Sequence, residues 1–246
     1  MSKSVRWSFV VLFVLGSCFG YAQMPKDSAT GNKRTVYLFS GLGADSSVFN
    51  NLEFPGFNKV YIKWIPAEHN ESLTSYAGRI KNQITAPNPY FIGLSFGGIV
   101  AVEVSKQVRV DKMALISTAK TRDDLNRIQC FFMKLGLYKI IPGSLLRHSN
   151  FLTYSYFGVK SPMDKQALSK LLRGTDITFF RWALRAIAFW DNREAPERVI
   201  QIHGTADRVI PCWLVHPDYK IKGGGHLMVY NKADTINQII NNYFNN

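Results

Sequence analysis

Tyr90-Phe91-Ile92-Gly93-Leu94-Ser95-Phe96-Gly97-Gly98-Ile99-Val100-Ala101-Val102 is the segment from which the rest of the chain is best read. Its first five residues form a short apolar run, which predicts a buried strand. Ile99, Val100, Val102, Val104 and Val108 then fall at helical spacing. Between strand and helix stands Gly-x-Ser-x-Gly. Such a turn is sharp and strained, and it lifts the serine hydroxyl above the edge of the sheet. Glycines at 93 and 97 remove side chains that would collide where strand and helix cross. Gly98 and Ala101 let the helix lie close to the sheet, and the helix N-terminus favours a developing negative charge. An ordinary strand-to-helix turn is the plain alternative. The apolar flanks on both sides favour a nucleophile at Ser95.

Working outward, short apolar strands alternate with helices. Strands are expected at 35–39, 60–65, 90–94 and 113–117. Leu73, Tyr76, Ala77, Ile80 and Ile84 mark an amphipathic helix between the second and third. After Ser117 the alternation stops. It returns with strands at 199–203 and 219–222 and a closing helix carrying Ile236, Ile239, Ile240 and Phe244. This is an α/β pattern, a mostly parallel sheet with helices on both faces. Residues 119–196 interrupt it as a helical insert, or cap.

A serine hydroxyl is a poor nucleophile until a base takes its proton. Of five histidines, His226 follows the last strand in Gly223-Gly224-Gly225-His226, where a glycine-rich loop can bring it back over the sheet. His203 lies within a strand and reads as structural, and His216 is the weaker rival. His69 and His148 read as exposed. The base in turn needs an acid to hold its tautomer. His203-Gly204-Thr205-Ala206-Asp207-Arg208-Val209-Ile210-Pro211 places Asp207 on a turn after the penultimate strand. An Asx-turn or helix cap is its plain alternative. An oxyanion hole is assigned to the backbone N–H groups of Leu42, in Ser40-Gly41-Leu42-Gly43, and Phe96. Asp45 reads as a turn or N-cap residue.

These motifs resemble the α/β-hydrolase superfamily over residues 34–244. The resemblance carries the nucleophile onto Ser95, the acid onto Asp207 and the base onto His226, in the chain order typical of that fold. It implies an eight-stranded, mainly parallel sheet with a cap between the sixth and seventh strands. The first two strands are expected to be missing or reduced, because little chain precedes Arg34. The family's frequent His-Gly before the oxyanion residue is Ser40-Gly41 here. The implied activity is cleavage of a small carboxylic ester, thioester or amide through an acyl-enzyme. Acyl transfer or peptide cleavage on the same residues, and a non-catalytic binding protein, are the alternatives. No metal or organic cofactor is needed, and the partner is a small acyl substrate.

The N-terminus reads as a targeting segment, with basic Lys3 and Arg6 ahead of an apolar stretch. Gly20-Tyr21-Ala22 offers cleavage before Gln23, giving a signal peptide at 1–22 and a leader at 23–33. Leu15-Gly16-Ser17-Cys18 offers a lipobox and a membrane tether through Cys18. An uncleaved anchor is the third reading. All three place the domain outside the cytoplasm, in the periplasm or cell envelope. Cys130 and Cys212 have no metal-like spacing and read as unrelated thiols, with a disulfide as the alternative.

The formal net charge is +13. No nucleic-acid motif accompanies it, so a solvated basic surface is the expectation. The insert holds 13 Lys/Arg against six acids, which predicts a site more tolerant of anionic or neutral than of cationic substrates. It is also aromatic. Trp182 and Phe189, on a helix expected at 179–190, are candidate pocket residues, with core packing as the alternative.

Overall fold

The computed structural model describes residues 33–246. The targeting segment, Cys18 and most of the leader lie outside the described residues. Six strands form one parallel sheet: β1 Arg34–Phe39, β2 Phe57–Tyr61, β3 Tyr90–Leu94, β4 Lys112–Ile116, β5 Val199–Gly204 and β6 Tyr219–Ile221, in the order β2-β1-β3-β4-β5-β6. The resemblance implied eight strands, and six are present among the described residues. Counted as the third to eighth strands of that scheme, these six place the insert between β4 and β5 between its sixth and seventh strands.

Both faces of the strands are apolar because both are covered. Tyr37, Phe39, Phe91, Met113 and Leu115 point to one side, into a core with helices α1 (Leu73–Ile80) and α2 (Phe96–Ser105). Val36, Leu38, Ile92, Leu94, Ala114 and Ile116 point to the other. There they meet the closing helix, Ala233–Asn245, through Ile236, Ile240 and Phe244.

The strand expected at 60–65 runs instead from Phe57 to Tyr61. Its register is set by β1, from Arg34 opposite Phe57 to Leu38 opposite Tyr61. As an edge strand it is only partly buried, so polar Asn58 and Lys59 sit within it and hid it from an apolar-run reading. The strand expected at 113–117 is displaced by one residue, and Ser117 adopts φ 48° instead of continuing it. In the first amphipathic helix the α-helical part ends at Ile80, and Ile84 is extended.

The insert folds as six helices: α3 Arg127–Lys134, α4 Leu137–Ile140, α5 Gly143–Leu146, α6 Phe151–Phe157, α7 Pro162–Gly174 and α8 Ile177–Phe189. Helix α8 starts two residues before the expected 179 because Asp176 caps it, accepting from the Thr178 and Phe179 N–H groups. The two ends of the insert are stitched together. Arg122 N–H donates to the Asn192 carbonyl at 2.7 Å, and Asn192 Nδ2 donates to the Lys120 carbonyl at 2.8 Å. Trp190 Nε1 donates at 2.6 Å to Glu103, a carboxylate buried in α2 that also accepts from Thr74 Oγ1 at 2.9 Å. Cys130 and Cys212 are both free thiols.

Candidate active site

The sheet order places a site before any side chain is considered. β1 has β2 on one side and β3 on the other. The connections leaving β1 (toward β2) and leaving β3 (toward β4) therefore diverge, and a crevice opens at the carboxyl ends of these two strands. Ser40-Gly41-Leu42 leaves β1 there and Ser95 leaves β3 there.

Ser95 caps α2 with φ 51° and ψ −125°, a conformation that non-glycine residues rarely adopt. The elbow holds because its surroundings leave no other path. Ser95 N–H donates to the Ile116 carbonyl at 3.0 Å, and Thr118 Oγ1 donates to the Ser95 carbonyl. The α2 backbone crosses β1 so closely that a Cβ on Gly97 would stand 2.2 Å from the Phe39 carbonyl oxygen.

Ser95 Oγ lies 2.8 Å from His226 Nε2. On the far side of the imidazole, Nδ1 lies 2.8 Å from Asp207 Oδ2. The structure thus brings together the three side chains that the sequence singled out, from the ends of β3, β5 and β6. Ser95 is partly exposed, whereas Asp207 and His226 are buried. His216 makes no such contact; its carbonyl accepts from Lys120 Nζ.

The Asp207 carboxylate is held from several directions. Oδ1 accepts from the N–H groups of Val209 and Ile210 at 2.9 and 3.0 Å. Oδ2 faces both His226 and, at 3.2 Å, Nε2 of the fully buried His203. Burial by itself would raise its pKa. The facing His226 imidazole and the hydrogen bonds from both histidines override burial and hold the carboxyl well below its ordinary value of 3.8. The unfolded chain then binds a proton more readily than the folded one. The stability Asp207 contributes is fully present above about pH 4 and is lost as pH falls toward the depressed folded value. We expect the urea midpoint of wild type to exceed that of Asp207→Asn most clearly at pH 5. The matching gap in unfolding free energy should narrow below pH 4 by roughly 1 kcal/mol per pH unit. A gap of constant size from pH 5 to pH 3 would contradict this account of the carboxylate.

The two segments that carry the oxyanion donors expected from the sequence, the loop after β1 and the start of α2, meet at Ser95. A Cβ on Gly41 would lie 3.5 Å from Ser95 Cβ, so the loop after β1 passes directly over the nucleophile position. The loop is pinned by Ser40, whose Oγ donates to the Ala44 carbonyl at 2.9 Å and accepts from Trp64 Nε1 at 3.0 Å. Neither the Leu42 nor the Phe96 N–H has an acceptor among the described residues. Asp45 caps the next turn, accepting from Ser47 N–H at 2.9 Å.

Trp182 is buried and packs against Phe96, Tyr76 and Phe179, with ring centroids 6.0, 4.4 and 5.2 Å away. It joins the cap to the elbow as a core residue. Phe189 does not share that cluster. It is 55% exposed, beneath Lys134 and Arg185. Seven residues along a helix amount to about 10 Å, enough to move it beyond the seam.

Sequence reasoning missed the cap's hold on His226. The His226 N–H donates to the Phe157 carbonyl at 3.0 Å, and the Phe157 ring meets the imidazole edge-on at 5.7 Å. A Cβ on Gly225 would stand 2.7 Å from that carbonyl oxygen, so only glycine lets α6 approach this closely. It also missed the contact from His203 to Asp207. The four-residue spacing in His203-Gly204-Thr205-Ala206-Asp207 was the signal available.

No protein-family model matches the chain, and no curated protein matches it. Solved structures do. An esterase from Exiguobacterium antarcticum superposes with TM-score 0.67 at 17% identity, covering 87% of this chain and 92% of its own. A bromoperoxidase from Bacillus anthracis gives 0.64 at 16%, covering 88% and 93%. The enol-lactonase from Burkholderia xenovorans LB400 gives 0.61 at 15%, covering 89% and 94%. Likeness of this degree over nearly the whole described chain shows architecture, and the architecture agrees with the strand order and the helical insert: the chain has the α/β-hydrolase fold.

Proposed function

We propose that the protein is an exported serine hydrolase that cleaves a carboxylic ester through an acyl-enzyme. The observation that carries this reading is the continuous chain of short contacts from Ser95 through His226 to Asp207, beside two main-chain N–H groups with no acceptor among the described residues. Ser95 Oγ attacks the ester carbonyl as His226 Nε2 takes its proton. The negative charge that develops on the carbonyl oxygen is met by the Leu42 and Phe96 N–H groups, fixed in place before reaction. Asp207 keeps the imidazole in the receptive tautomer and stabilises it once protonated. His226 then gives its proton to the departing alkoxide, which leaves as the alcohol. A water, deprotonated by the same histidine, releases the acid and restores Ser95. Acyl transfer or amide cleavage would use the same steps with a different acceptor or leaving group. Residues 1–22 support export.

A fluorophosphonate probe tests the reading, because it needs an activated serine and no particular acyl group. We expect labelling at Ser95, located by peptide mass, in the extracytoplasmic fraction of cells. Folded protein that takes up no label would favour the binding-protein alternative. Label confined to the cytoplasm would remove export alone. The basic insert supports a preference against cationic substrates. A cationic p-nitrophenyl ester turned over faster than its neutral and anionic isosteres would overturn that preference.

A further inference from the structure

We propose that the outer surface of the cap, formed by α3 to α6, docks on the headgroup–acyl boundary of an anionic bilayer. Two independent features of the same stretch carry this. The first is apolar exposure. Of 15 exposed large hydrophobic side chains among the described residues, 11 lie between Ile128 and Met163. They are not scattered. Along α3 and its C-terminal cap, Ile128, Phe131 and Leu135 recur at spacings of three and four, so they share one face, and each is more than half exposed. Cys130, on the opposite side, is buried against the core. The helix therefore presents apolar surface both inward and outward, and the outward stripe has no partner among the described residues. Ile140, Phe151 and Leu152 extend the pattern at 79%, 81% and 74% exposure. Gln129 Nε2, 3.3 Å from Tyr156 Oη, ties α3 to α6. An apolar surface this extensive marks an interaction site.

The second feature is charge. Between Asp124 and Asp164 the sequence has no acidic residue, while Arg127, Lys134, Lys139, Arg147 and Lys160 are all basic. Lys134, Lys139, Arg147 and Lys160 have no carboxylate partner among the described residues. Apolar side chains interleaved with unpaired cations fit a surface with negative headgroups above hydrocarbon. A second copy of this chain fits poorly, since a two-fold interface would set these cations against themselves. Among the described residues no helix is long and apolar enough to cross a membrane. The contact is therefore one of a surface lying on the bilayer, separate from any anchoring by residues 1–22. It stands whether or not Ser95 reacts.

The test is amide hydrogen exchange on the full-length chain, read peptide by peptide with and without vesicles. Local readout matters because the apolar N-terminal segment can itself bind lipid. With phosphatidylglycerol-containing vesicles, exchange across residues 127–157 is expected to slow about tenfold or more, since these short, exposed helices open readily when free. Pure phosphatidylcholine vesicles should leave it nearly unchanged. Phe151→Ser combined with Leu152→Ser should abolish the protection, and Lys139→Ala should weaken anionic-vesicle affinity about fivefold. Ser95→Ala should bind as wild type does, which separates this result from the catalytic reading. Three results would overturn the proposal: no slowing in these peptides even when the chain sediments with anionic vesicles, equal slowing with neutral vesicles, or lipid-independent slowing that grows with protein concentration.

Discussion

On the proposed reading, Ser95→Ala and His226→Ala are each expected to lower kcat/KM for a hydrolysed ester by about 10⁴–10⁶-fold, with the double variant falling no further than the worse single one. Non-additivity follows from the geometry. On the proposed mechanism, the 2.8 Å contact between Ser95 Oγ and His226 Nε2 would be the route by which the hydroxyl loses its proton. Once either partner is gone, the other has nothing to act on. The residual rate belongs to the Leu42 and Phe96 N–H groups and to substrate binding, which neither substitution removes. The alanine side chain is smaller than serine and makes no new contact at the elbow, so circular dichroism and the urea midpoint should stay close to wild type. Measuring kcat/KM for wild type, both single variants and the double variant decides the matter. Losses that multiply would mean that the two residues act separately. A Ser95→Ala variant within tenfold of wild type would mean that the serine is not the nucleophile.

Gly97→Ala is expected to cost more than about 4 kcal/mol of stability, or to prevent folding. The added Cβ would meet three main-chain atoms at once: the Phe39 carbonyl oxygen at 2.2 Å, the Ser40 carbonyl oxygen at 2.3 Å and the Phe39 carbonyl carbon at 2.5 Å. A flexible side chain could turn aside. The end of β1 cannot, because β1 is hydrogen-bonded to β2 on one side and β3 on the other. Relief would require α2 to lift away from the sheet, opening the core that Phe96, Ile99 and Val100 help to fill. Gly174→Ala is the control. Nothing lies within 4 Å of a Cβ there, and the position is the last of a helix. It should be neutral or gain up to about 1 kcal/mol. Urea unfolding of both variants checks the pair. Equal midpoints would mean that the crossing of α2 over β1 is looser than described.

Much of the fold was legible in the chain because its central strands are buried on both faces. Residues 90–94 are apolar at every position that carries a side chain, and β3 has those bounds. Edge strands are harder to read. β2 has a solvent side, and its polar residues broke the run that marked the others. The cap was readable as helical but not as its six separate helices, since α4 and α5, of four residues each, hold too few turns for periodicity to show. Trp182 and Phe189 illustrate the same limit. Both were apolar and on one helix, and only packing separated the seam residue from the exposed one.

That Ser95, Asp207 and His226 would come together at strand ends was legible in the sequence alone, because each stands in a turn close to glycine and shortly after a strand. Tertiary structure decided what touches them: His203 beneath Asp207, Phe157 against His226, and Gly41 beside Ser95. The physical reason is range. Turn chemistry and strand periodicity act over a few residues, whereas these contacts join segments brought together only when the sheet closes and the cap settles onto it.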